Sequence, residues 1–254
     1  DILSTHTRLI EEIKNIKPTR LNDIENIVSH TKELVKSGNN IIKFGMPALD
    51  IAAGGMTRKE ITVLGGRPGH GKTTLIINII RSLVNQGYKV MMFNREMSNP
   101  EMTRKLIVME GENLSYRKGD LNGSTELFEK SIEKITKKYK DKLLMFDDVR
   151  SLDEAMLEVT RHKPDVIIDD YIQLISMSDK KERRHQIEEI VHDYKWICKK
   201  ENCSAILVSQ LNREIEKRYE PRPRLSDYSE SGVIEQTAEC ALFVWYGYVF
   251  DDEE

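Results

Sequence analysis

The stretch Gly66-Arg67-Pro68-Gly69-His70-Gly71-Lys72-Thr73, followed by Thr74, fits the spacing GxxxxGK(S/T). It lies between a short apolar run, Ile61 to Leu64, and a helical pattern over residues 72 to 86. Strand, glycine-rich loop and helix in that order form the opening unit of a phosphate-binding α/β domain, and few other folds accommodate it. The glycines let the backbone wrap around phosphates with its N–H groups turned inward. The positive end of the following helix faces the anion, Lys72 reaches the terminal phosphates, and the Thr73 hydroxyl can hold Mg²⁺. The implied ligands are ATP, or another nucleoside triphosphate, and Mg²⁺.

The rest of the chain repeats the alternation. Candidate strands run over Ile61 to Leu64, Lys89 to Asn94, Leu143 to Asp147, Asp165 to Asp169, Ala205 to Ser209 and Cys240 to Tyr246. Candidate helices lie between them near residues 72 to 86, 99 to 110, 125 to 139, 152 to 162 and 183 to 202. Right-handed crossovers turn this pattern into a doubly wound, mainly parallel sheet with helices on both faces and ligands at the carboxyl ends of its strands. Residues 1 to about 40 differ in texture. Leu9, Ile10, Ile13 and Ile16, closed by Lys17-Pro18, and then Ile24, Ile27, Val28, Leu34 and Val35, with Gly38 as a helix stop, read as amphipathic helices. Such an arm needs a surface for its stripes, on its own domain or on a neighbouring subunit. The organisation expected is an arm over 1–40 and an ATPase domain over 41–254.

A phosphate-binding loop that hydrolyses its ligand needs carboxylates. Val166-Ile167-Ile168-Asp169-Asp170 is an apolar strand ending in two acids, one of which suits the metal. Glu96 follows the strand Lys89 to Asn94 and can reach the γ-phosphate edge of the sheet as a general base, or can serve as a helix-start carboxylate before Ser98-Asn99-Pro100. The formal net charge of -3, with 32% charged residues, excludes a globally basic nucleic-acid binder, so any such contact is local. The sparse Cys198, Cys203 and Cys240 lack zinc-ligand spacing and read as reduced, buried thiols in a cytoplasm-like compartment. No apolar run is long enough to cross a membrane.

Several ordered stretches resemble the C-terminal RecA-like ATPase domain of DnaB-type replicative helicases, bacterial or phage. They are Gly45-Met46-Pro47-Ala48-Leu49-Asp50, Gly65-Gly66-Arg67-Pro68 to Thr74, Glu96-Met97-Ser98, Asp170-Tyr171-Ile172-Gln173-Leu174, Ser209-Gln210-Leu211-Asn212-Arg213, and Glu230-Ser231-Gly232-Val233-Ile234-Glu235-Gln236. The resemblance implies a RecA-like core working in a homo-oligomeric, hexameric ring that translocates on single-stranded DNA at a replication fork, with a primase and a loader as partners. It implies Glu96 as catalytic base, Asp170 rather than Asp169 as the Mg²⁺ carboxylate, Gln210 as γ-phosphate sensor and Arg213 as part of the same network. Main-chain DNA contacts map onto Glu230, Ser231 and Gly232. The preceding loop, with Lys217, Arg218, Arg222 and Arg224, is the local candidate for gripping DNA phosphates, although Glu214, Glu216 and Glu220 dilute its charge. Lys180, Lys181, Arg183 and Arg184 form a second basic cluster.

Three departures stand out against the resemblance. Asp169 and Arg95 occupy positions where the family carries apolar residues, and Ser229 stands where an arginine is frequent. The chain starts at Asp1, suggesting a fragment, and ends at Glu254, ahead of the segment in which the family places its arginine finger. Residues 1–40 match the family's linker helix, which docks on an adjacent subunit. The competing readings are another RecA-like ATPase, a recombinase or a regulatory ATPase of the KaiC type, and a nucleotide-binding loader or scaffold without unwinding activity.

Overall fold

The computed structural model describes residues 24–37, 41–110, 125–177, 182–228 and 232–247. The chain divides into two units, 1–40 and 41–254. In the first, helix α1 (Ile24–Ser37) exposes Ile24, Ile27 and Val28. The side chains of Leu34 and Val35, the expected stop at Gly38 and the earlier helical pattern lie outside the described residues.

The second unit is built on six parallel strands, β3 (Ile61–Gly66), β4 (Val90–Asn94), β5 (Leu143–Phe146), β6 (Val166–Asp170), β7 (Ser204–Gln210) and β8 (Cys240–Val244). Their order across the sheet is β5-β4-β6-β7-β3-β8. Every residue of β3, β4 and β6 is buried, which is why their apolar residues follow one another instead of alternating with polar ones, as in Val166-Ile167-Ile168. A two-stranded antiparallel pair, β1 (Ile41–Ile42) with β2 (Met56–Thr57), flanks helix α2 (Pro47–Ala53). The crossovers use α3 (Lys72–Asn85), α4 (Asn99–Glu110), α5 (Thr125–Tyr139), α6 (Leu152–His162) and α7 (Arg183–Glu201), and α8 (Gly232–Thr237) leads into β8.

Two cores cover the faces of the sheet. One packs α6 and α7 on Phe93, Ile167 and Leu207. The other packs α3, α4 and α5 on Met92, Ile168 and Val208. The helix boundaries have local causes. Ser151 and Glu154 form a capping box at the start of α6. Helix α7 stops at Glu201 because Asn202 takes a left-handed conformation (φ 55°) and its N–H returns to the carbonyl of Cys198. Asp50 of α2 accepts hydrogen bonds from the backbone N–H of Phe44 (2.7 Å) and Gly45 (2.9 Å), so the aspartate of the first family-like stretch ties a loop down. Cys198 and Cys203 are buried free thiols, whereas Cys240 is only partly buried, a correction to the expectation for all three. Among the described residues no helix is long and apolar enough to cross a membrane.

Candidate active site

The carboxyl ends of β4, β6, β7 and β3 lie side by side, and the sheet's register decides what meets there. Asn94 pairs with Asp170, Asp169 with Leu207, and Gly66 with Gln210. The loop Gly66 to Gly71 leaves the end of β3 and enters α3. Gly71 sits at the helix N-cap with φ 93°, a conformation that favours glycine. A Cβ on Gly66 would lie 2.9 Å from the Lys72 Cγ and 3.0 Å from the Val244 carbonyl, so close packing of loop, lysine and β8 requires glycine there.

A cleft of about 360 Å³ opens at this edge, lined by Pro68, Gly69 and Gly71 to Thr74, together with Glu96, Met97, Lys105, Tyr171 and Gln210. Lys72 Nζ donates to the carbonyls of Gly66 (2.9 Å) and Arg67 (3.1 Å). Burial lowers the Lys72 pKa, opposed by the charges of Asp170 and Glu96. Asp170, 5% exposed, titrates at about 6, raised mainly by burial and then by the neighbouring Glu96. A buried carboxylate held up in this way by a second carboxylate gains from a cation beside it. The Thr73 hydroxyl on the cleft wall and the Asp170 carboxylate are the oxygens that could hold Mg²⁺, an ion that takes few protein ligands when phosphates and water complete its shell. Among the described residues no cluster of three or more His, Cys, Asp or Glu could hold a metal, so a cage built wholly from such side chains is not the alternative.

Which aspartate faces the cleft follows from strand alternation. Asp170 shares a face with Ile168 and lies within electrostatic reach of Lys72 and Glu96. Asp169 points to the opposite face, where Arg95 and Tyr194 hold it. Glu96 is not the carboxylate that accepts from Ser98 ahead of the next helix. The start of α4 is served by Glu101, whose Oε2 accepts from the N–H and the hydroxyl of Ser98 (both 2.9 Å). Glu96 is left exposed on the cleft wall.

The structure distributes the remaining site residues as follows. Arg67 turns away from the cleft, donating to Glu216 (2.6 Å) and to the Leu211 carbonyl (2.8 Å). His70 accepts at Nδ1 from the Tyr246 N–H (3.2 Å), and burial, with Lys72 and Arg67 nearby, lowers its pKa, which favours the neutral ring. Arg213 is exposed at the start of a 3₁₀ turn, Arg213–Lys217, and is not among the residues that line the cleft. Gln173 supports Gln210 by accepting from its backbone N–H (3.2 Å) while donating to the Ser209 hydroxyl (2.8 Å). Lys105, Met97 and Tyr171 line the cleft without having been singled out as site residues. Lys105 lies nine positions beyond Glu96 inside a helix, where sequence offers no signal.

The basic loop is partly neutralised. Lys217 pairs with Glu214 (2.7 Å), and Arg218 grips the buried Asp227 with both of its terminal nitrogens. Arg222 and Arg224 remain exposed, Arg222 over the ring of Trp245 at 5.9 Å. Glu230, Ser231, Ser229, Lys180 and Lys181 lie outside the described residues. Gly232 starts α8, and Arg184 pairs with Glu188 at 3.4 Å.

Residues 42–254 match the DnaB-like helicase C-terminal domain family. Among curated proteins, the chain is 31% identical over 254 residues to the replicative DNA helicase DnaB of a Helicobacter pylori strain, covering 95% of this chain and 51% of that protein. It is likewise 31% identical over 242 residues to the DnaB of Rickettsia typhi, covering 87% of this chain and 48% of that protein. The chain thus spans about half the length of the curated relatives it matches. Among solved structures, one of an isolated ATPase domain superposes with a TM-score of 0.81 at 25% identity, covering 92% of this chain and 87% of that one. A DnaB-like replicative helicase described with its primase interactions shares the fold, with a TM-score of 0.75 at 24% identity, covering 100% of this chain and 64% of that one.

Proposed function

The chain belongs to the DnaB-like helicase C-terminal domain family, and on that premise we propose that it is the ATP-hydrolysing motor of a replicative DNA helicase, translocating on single-stranded DNA as a hexameric ring and unwinding duplex at a fork. The observation that carries this reading is the convergence of Lys72, Thr73, Glu96 and Gln210 on one cleft, with the buried Asp170 carboxylate beside Lys72 and Glu96.

In this reading the loop's N–H groups and Lys72 hold the nucleotide phosphates, while Thr73 and Asp170 are the residues that would hold Mg²⁺. When bound, the ion supplies charge neutralisation at the β- and γ-phosphate oxygens. Glu96 orients a water in line with the γ-phosphorus and takes its proton as the water oxygen bonds to phosphorus and the bond to the ADP oxygen breaks. Gln210, fixed by Gln173 at the end of β7, registers the loss of the γ-phosphate, and β7 leads directly into the loop that carries Arg222 and Arg224. Those arginines, with the main chain over Glu230 to Gly232, grip DNA phosphates. Residues 1–40 serve as a subunit-docking arm, and a primase and a loader are the expected partners in the cytoplasm of a bacterium, or of the host if the gene is a phage's.

The test is unwinding of a forked duplex with ATP, compared among the parent, Lys72→Ala and Glu96→Gln. Lys72→Ala should lose nucleotide binding. Glu96→Gln should bind nucleotide but turn it over at least ~100-fold more slowly, the low end for loss of a general base. Strand exchange without unwinding would support the recombinase reading instead, and nucleotide binding without turnover the scaffold reading.

A further inference from the structure

Arg95 and Asp169 depart from the family pattern one by one, yet in the fold they are each other's partners. Nε and Nη2 of Arg95 donate to the two oxygens of Asp169 at 2.7 and 2.8 Å, and Nη1 donates to the carbonyls of Val149 (3.1 Å) and Arg150 (3.0 Å) beyond β5. The Tyr194 hydroxyl, from the middle of α7, donates to Asp169 as well. The side chains of Arg95 and Asp169 are 1% and 0% exposed, and Tyr194 is fully buried. The backbone is tied at the same point, since the Arg95 N–H donates to the Asp170 carbonyl at 2.9 Å. Burial works against the Arg95 charge, but the hydrogen bonds to Asp169 more than offset it and raise its affinity for the proton.

Each partner directly precedes a residue of the candidate site: Arg95 comes before Glu96 on the cleft wall, and Asp169 before the buried Asp170. The pair occupies the α7 side of the sheet, and the cleft lies beyond the strand ends. Glu96 itself is exposed and sits past the last residue of β4, where the ladder no longer holds it. We propose that Arg95, Asp169 and Tyr194 form a buried brace whose role is to position Glu96 against the water and Asp170. These are positioning residues acting through Glu96, and the proposal rests on Glu96 being the base. An effect of this kind is expected because displacing a reacting group by about 1 Å can cost roughly 100-fold in rate.

The test measures ATPase kcat, KM and nucleotide affinity in the full chain for Tyr194→Phe and for the double variant Arg95→Met with Asp169→Leu, each in the parent and in the Glu96→Gln background. The double variant replaces both charges with apolar groups and avoids leaving either one stranded. Expected are a folded protein, a kcat lower by about 10- to 100-fold in the double variant, a smaller loss in Tyr194→Phe, and KM and nucleotide affinity within about twofold of the parent. In the Glu96→Gln background neither change should slow the residual rate further, because groups acting through one residue are not additive. Undiminished kcat in the folded double variant overturns the brace. The same fractional loss with and without Glu96 also overturns it, since that is the signature of a purely structural role. Full turnover in Glu96→Gln alone overturns the assignment of Glu96, and the brace with it. A slow Glu96→Gln beside a fast double variant removes the brace and leaves that assignment standing.

Discussion

Replacing Asp170 with Asn should stabilise the protein while abolishing hydrolysis. Burial and the adjacent Glu96 raise the Asp170 pKa from 3.8 to about 6, so folding favours its neutral form. For a carboxyl group whose folded pKa exceeds its unfolded value, the stability contribution is present below the unfolded pKa and is lost as pH rises through the folded one. Above pH 6 the ionised, buried group therefore costs the fold roughly 3 kcal/mol, at about 1.4 kcal/mol per pH unit. With 5% of the residue exposed, solvent does little to screen this. The amide of Asp170→Asn mimics the neutral acid at every pH. Urea unfolding without divalent metal should show the variant more stable than the parent by on the order of 2–3 kcal/mol at pH 8, and by roughly half that at pH 5. Mg²⁺ with nucleotide should narrow the gap by stabilising only the parent. A variant less stable than the parent at pH 8, or a gain that does not shrink on acidification, would refute the reasoning.

Arg95→Met alone strands the Asp169 carboxylate in the core and should cost about 3–5 kcal/mol by urea unfolding, whereas Arg95→Met with Asp169→Leu leaves no buried charge and should cost less, about 1–3 kcal/mol for the Tyr194 hydroxyl that loses its acceptor; equal losses would mean that the charges are not coupled. Gly65→Ala places a Cβ 2.8 Å from side-chain atoms of Leu211 and Tyr228 and should destabilise by about 1–3 kcal/mol in thermal or urea melts. Replacing Arg222 and Arg224 with Ala should weaken single-stranded DNA binding and flatten the slope of log affinity against log salt by about 1.4, from about 0.7 per phosphate contact. An unchanged slope in fluorescence anisotropy titrations would move the DNA contact elsewhere.

The elements that could be read from the sequence are those whose cause is local. The strand at Ile61 and the helices over 99–110, 125–139 and 152–162 follow from apolar runs, spacing and caps, and they occur at those positions. Helix α2 was missed because its seven residues bury no side chain and so carry no periodic stripe. The phosphate loop was legible because its chemistry is complete within eight consecutive residues. The acids were not. Strand pattern alone offered Asp169 and Asp170 as equals and only the family resemblance favoured Asp170; the orientation of β6 between β4 and β7 is what turns one toward Lys72 and the other toward Arg95, 74 positions away. The tie from Arg67 to Glu216 spans 149 positions. Local propensity depends on neighbours along the chain, so sequence carries it directly. Which distant charges meet depends on the crossover order and on the face each strand presents, and these are set only when both sides of the sheet are packed.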